Sequence, residues 1–195
     1  QMADGVSNRT TAFTLSTSGN QPNIHGNVTL FSSLTLSGTN TITFAGQGTT
    51  QTITSAGITW TQPITVNSPG GTVQLGDNLT QTSNSGFSLV AGTLNLNNKT
   101  LTCVLFGSNV STTRAIAFGT GNITLTGNNA TIWNTGTATN FTYTGTPIVN
   151  ATYSGSTGTR TLAVHQSGGG SESNAISFNI SAGSDTVAFS SSSYI

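Results

Sequence analysis

The sequence predicts an all-β fold, a parallel β-helix or solenoid with three short strands in each turn of about 29 residues. Three observations predict it. Apolar residues alternate with polar ones at a period of two throughout. The alternating pairs gather into triplets that recur. The segments between them lack the Asn-Gly and Asp-Gly dipeptides of tight hairpins, apart from one Asp-Gly at residues 4–5.

The elements follow in order. The first triplet is Val28/Leu30, Leu34/Leu36 and Ile42/Phe44, and the second is Ile58/Trp60, Ile64/Val66 and Val73/Leu75. Phe87/Leu89, Leu94/Leu96 and Leu101/Cys103 form the third, and Ile116/Phe118, Ile123/Leu125 and Ile132 the fourth. Their first members, Val28, Ile58, Phe87 and Ile116, recur at nearly even steps, within the range of solenoid repeats. "GTLNLNNKTLT" (92–102) and "GNITLTGNNATI" (121–132) read as one repeated phrase. One full turn supplies the long connection that parallel neighbours need. Gly and Asn at the corners tolerate positive φ. This gives three regions: an N-terminal cap or linker (1–26), regular turns (27–140), and less regular turns with protruding loops (141–195). An antiparallel β-sandwich is the competing architecture, because strands spaced 8–12 residues apart also build one.

Composition narrows the function. Charged residues are 4% of the 195-residue chain and the net charge is zero, against about 25% charged in an average domain. No basic field exists for nucleic acid or anionic lipid, so neither is an expected partner. The longest apolar run, "CVLF", is far short of the ~20 residues of a membrane helix. The strands are also too short for a membrane barrel, so no membrane insertion is expected. Cys103, the single cysteine, cannot form an internal disulfide, and its place in "LTCVLF" reads as core.

Candidate chemistry is sparse. The acids are Asp4, Asp77, Glu172 and Asp185. Cleaving a glycosidic bond takes two carboxylates about 5–10 Å apart, and only Glu172 and Asp185 share a region. Both sit in Ser/Gly-rich loops and read as solvated acids, while Asp77 reads as a corner residue. With His165, they are possible loop contact residues for cell-surface glycans. Neither His25 nor His165 has ligand company at a metal-binding spacing, and no G-x-S-x-G elbow accompanies the many serines. No catalytic residue, metal or cofactor is expected. Sequons occur at Asn8, Asn27, Asn78, Asn98, Asn109, Asn122, Asn129, Asn140, Asn150 and Asn179. Those from Asn27 onward are possible N-glycosylation sites, although chance alone explains most of this number.

"GITWTQPITVNSPGGTVQLGDNLT", "LVAGTLNLNNKTLT" and "RTLAVHQSGGGSESNAISFNISAGSDTVAF" resemble the Gly/Thr/Ser-rich repeats of tail-fibre-like and structural proteins of marine bacteriophages, and of large bacterial surface proteins. The resemblance covers roughly residues 40–190. It implies a non-enzymatic structural or adhesive rod on a virion or outside a cell. Three alternatives are a subunit of a bacterial or archaeal extracellular filament, a polysaccharide-cleaving β-helix, and an ice-binding solenoid. Some β-solenoids bind ice through flat faces of stacked threonines. The candidates here, Thr41/Thr43, Thr59/Thr61, Thr100/Thr102 and Thr124/Thr126, fall on different strands of the triplet and so form no single array. The C-terminal "VAFSSSSYI" reads as the start of a further strand. The edge there is expected to be covered by another copy or by the rest of a longer polypeptide.

Overall fold

The computed structural model describes residues 13–128, 130–137, 139–164, 175–181 and 183–190. The chain is a parallel β-solenoid of about seven turns. Every described ladder is parallel, and each strand pairs with its counterpart one turn away. Three faces recur in fixed order. The first holds Phe13–Ser16, Leu34–Ser37, the Trp60 bridge, Leu79–Thr80, Thr100–Cys103, Asn122–Leu125, Ile148–Ala151 and Ser177–Ile180. The second runs from Asn23–Ile24 through Ile42–Phe44 to Thr159–Val164 and Thr186–Ser190. The third includes Val28–Thr29, Thr50–Thr54, Arg114–Gly119 and Phe141–Gly145. Two long strands, Ile64–Leu75 and Phe87–Asn95, bend from the second face into the third. Gly92 makes one of these bends possible: its φ is +86°, and a Cβ there would lie 2.8 Å from the Gly71 carbonyl oxygen.

Three strands per turn agrees with the sequence, but the even turn length does not. On the first face Asn122 reaches its partner Thr100 across 22 residues, whereas Asn179 reaches its partner Asn150 across 29 residues. Along the second face the stacked residues are Ile42, Ile64, Phe87, Phe106, Trp133 and Leu162, and their spacing is just as uneven. Val28 therefore pairs with Ile53, not with Ile58, which lies in a turn. The phrases at 92–102 and 121–132 are not stacked phrase on phrase either. Leu94 pairs with Ile116, and Leu101 with Ile123. All three faces carry the same apolar–polar alternation, so likeness between segments does not say which face each occupies. Residues 13–24, expected to be a cap or linker, already pair in parallel with the next turn.

The alternation itself holds. Ile64, Val66, Val73, Leu75, Leu94, Leu96, Leu101, Ile123 and Leu125 are fully buried in one continuous core, and the residues between them face outward. Burying a side chain of this size is worth about 1.5–3 kcal/mol. From Phe87 onward the core includes an aromatic column. Phe87, Phe106 and Trp133 stack at 6.0 and 4.9 Å, and Phe178 meets Trp133 edge-on at 5.9 Å.

Polar side chains close the corners by reaching the turn beneath. The buried Gln51 amide donates to Ile24 O and Gly26 O and accepts from Gly46 N. Gln62 donates to Ser37 O at 2.8 Å, Gln81 to Gln62 O at 3.1 Å, and Ser68 to Gly46 O. The donated bonds satisfy backbone carbonyls where the chain changes direction, and the accepted one satisfies the Gly46 amide.

Candidate functional surfaces

Among the described residues, Asp77, Arg114, Arg160 and Asp185 spend their charge on hydrogen bonds to neighbouring turns. Asp77 stands at a bend, as a corner residue should, and its bonds reach the neighbouring turn. Its two carboxylate oxygens accept the amides of Ser55 and Ala56, one turn away, at 2.7 and 2.6 Å. Arg114 is buried, and burial lowers the pKa of its guanidinium. Among the described residues no carboxylate meets it. It donates to Ser108 O, Thr112 O, Thr139 O and Thr137 O, and it lies 4.9 Å from the centroid of the Phe141 ring. One cation thereby ties down the loops of two successive turns, because guanidinium carries five donors in a rigid fork.

Asp185 overturns its reading as a solvated loop acid. Its carboxylate accepts a two-pronged bond from Arg160 at 2.7 and 2.8 Å, and both side chains are almost wholly inaccessible. The physical reason is register: Thr159–Val164 pairs with Thr186–Ser190, which sets Asp185 beside Arg160 one turn away. Arg160 also donates to Ala151 O at 3.0 Å. His165 and Glu172 lie outside the described residues. His25 is exposed, and the described residues contain no group of three His, Cys, Asp or Glu able to hold a metal. Cys103 is fully buried, and burial pushes its thiol far above the usual range.

The sequon asparagines divide into two sets. Asn122, Asn140, Asn150 and Asn179 spend their amide nitrogens on Thr100 Oγ1, Ser111 O, Asn122 Oδ1 and Asn150 Oδ1. Asn27, Asn78, Asn98 and Asn109 are exposed and take part through their side-chain oxygens, accepting from Thr52 N, Thr100 N, Thr120 N and Thr137 Oγ1. Of the candidate sites, these four therefore keep the nitrogen that would carry a glycan clear of such bonds. Asn8 and Asn129 lie outside the described residues.

The threonines contradict the expectation of scattered pairs. Thr80, Thr102, Thr124, Asn150 and Asn179 form one outward column on the first face. The Trp60–Gln81 bridge extends this column to Thr59. Ladder bonds from Thr82 N to Trp60 O, Thr126 N to Cys103 O and Thr152 N to Leu125 O set a second column beside it, containing Thr61, Thr82, Val104, Thr126, Thr152 and Ser181. Thr59/Thr61, Thr124/Thr126 and Thr102 thus share a face, while Thr43 stacks on Thr65 in another sheet. The reading from sequence missed Thr80, Thr82 and Thr152 because it aligned segments at one uniform period. The signal was the phrase itself, in "ITWTQ", "LTQTS" and "ITLTG", which begin at Ile58, Leu79 and Ile123.

The two ends of the rod also differ from its flanks. Ser177–Ile180 and Thr186–Ser190 each have a strand partner on one side only among the described residues. Ile180 and Phe189 expose 43% and 42% of their surface there. Toward the other end, Leu15, Ile24, Val28, Leu36, Ile42 and Trp60 line an apolar cavity of about 120 Å³.

No family model matches the chain, and neither the curated proteins nor the solved structures include one that it matches.

Proposed function

We propose that this chain is a non-enzymatic structural and adhesive rod, a segment of a tail-fibre-like virion appendage lying outside any cell. It joins further copies, or further polypeptide, through its C-terminal edge. The observation that carries this reading is the unfinished aromatic column. Phe178 packs edge-on against Phe189 at 6.4 Å, and Phe189 is left 42% exposed on a strand with one described partner. Such an edge is a template for another parallel strand. Copies whose skins are uncharged and rich in threonine and asparagine also approach without repulsion.

Immunogold labelling with antibody against the chain tests the reading on the source material. Label along virion appendages is the expected result. Label on cell-surface filaments would replace the virion with a cellular filament, and release of reducing sugar from host polysaccharide by the pure chain would overturn the non-enzymatic reading.

A further inference from the structure

We propose that the first face of the solenoid binds ice through its two columns of threonine. Adjacent turns bring outward residues about 4.8 Å apart along the rod, and residues i and i+2 of one strand stand about 6.7 Å apart across it. Threonine occupies both positions in three turns, at Thr59/Thr61, Thr80/Thr82 and Thr124/Thr126, and one of the two in the turns of Thr102 and Thr152. The result is a two-dimensional lattice of side chains that each present a hydroxyl and a methyl.

Unbroken register is a second, independent observation. From Leu79–Thr80 through Thr100–Cys103, Asn122–Leu125 and Ile148–Ala151 to Ser177–Ile180, the ladder keeps its register without a shift. The other two faces do not. Register slips between Ala117 and Gly119 on the third face, between Thr131 and Trp133 on the second, and around Asn67 where the two meet. A bulge turns side chains out of their column, so among the described strands the first face keeps its columns unbroken over the most turns.

Order is the third. Threonine has few χ1 choices, and on this face hydrogen bonds reduce them further. Thr126 and Thr152 donate to Cys103 O and Leu125 O at 3.4 and 3.3 Å, and Thr124 donates to Asn122 Oδ1 at 3.3 Å. A surface already fixed loses little entropy when it meets a rigid partner.

The chemistry of the ligand follows. It must be uncharged, because no outward position of the two columns is charged. It must be planar and periodic, and it must offer hydrogen-bonding groups interleaved with space for methyls. Ice fits, since its oxygen lattice repeats at spacings close to both of those on this face. A crystalline polysaccharide is the other periodic neutral solid, but sugar rings are gripped by aromatic faces, and neither column contains an aromatic residue.

The test uses the full chain and two variants. Thermal hysteresis, and partition of the protein into slowly grown ice, are measured for the wild type and for Thr102→Tyr, which raises a bulky ring in mid-lattice. Thr72→Tyr, outward on the third face, is the control, and circular dichroism melts verify that each protein folds. The expected result is hysteresis and entry into ice for wild type and control, with loss of both in Thr102→Tyr at an unchanged melting temperature. Exclusion of the wild type from ice would overturn the proposal, as would full activity in Thr102→Tyr. Equal loss in the control would overturn the assignment to this face. Binding to microcrystalline cellulose without entry into ice would transfer the lattice to a different ligand and overturn it also.

Discussion

The short turns in the first half of the rod and the long turns in the second solve the same problem with different chemistry. Where the turns are short, as between Ile42, Ile64 and Phe87, the corners are closed by neutral glutamine and serine. Where they lengthen, as between Phe106, Trp133 and Leu162, buried arginines take over. The added residues lie in loops whose carbonyls point inward from several directions. A glutamine offers two donors and a guanidinium five, so arginine can span a gap that an amide cannot. The comparison teaches that the buried arginines sit where the turns are longest, while the short turns close with amides, hydroxyls and the Asp77 carboxylate.

The largest effect should not distinguish the two regions. An aspartate at Leu96 in the short turns, or at Leu162 in the long ones, meets a fully buried site. Each should cost several kcal/mol, seen as a collapse of the thermal transition, while Thr124→Asp on the outward column should shift it only slightly. The next effect should separate them. Arg114→Ala strands four carbonyls and should cost about 3 kcal/mol or more, against about 1–2 kcal/mol for Gln81→Ala, by urea titration. Arg114→Lys should recover little, because an ammonium lacks the fork. A smaller term is the coupling between Arg160 and Asp185, which a double-mutant cycle should place at about 1–3 kcal/mol.

Smallest is the contribution of Cys103. Its folded thiol is held above the unfolded value, so the folded state retains a proton that the unfolded state has lost once pH exceeds about 8.5. Stability should be undiminished below that pH and should decline as pH rises beyond it. In Cys103→Ala the decline between about pH 8.5 and pH 10 should vanish, against a lower baseline; the partly buried Tyr143 phenol, also pushed up, keeps its own decline above that range.

Much of the fold was legible in the sequence, for a definable reason. A core wall of alternating Val, Leu, Ile and Phe leaves its period in the chain whatever the turn length, and Leu96, Leu101 and Ile123 were identified as core from that period alone. Turn length was not legible. Each face repeats the same alternation, and the match between 92–102 and 121–132 joined segments that occupy different register positions. The error passed to the surface, where threonines that share a column were distributed over three faces. Asp185 was unreadable for another reason: its partner Arg160 is 25 residues away, and no local pattern announces an ion pair that register creates.

The central claim is that the rod continues past its last described strand by pairing with more of its own kind. Multi-angle light scattering over a wide concentration range tests it most directly, on the wild-type chain and on Phe189→Asp. The account predicts that the wild-type mass rises with concentration in whole multiples of the 19.8 kDa chain, and that Phe189→Asp stays at one copy with its fold intact. A wild-type chain that remains monomeric at the highest concentration, with Phe189→Asp indistinguishable from it, would contradict the account.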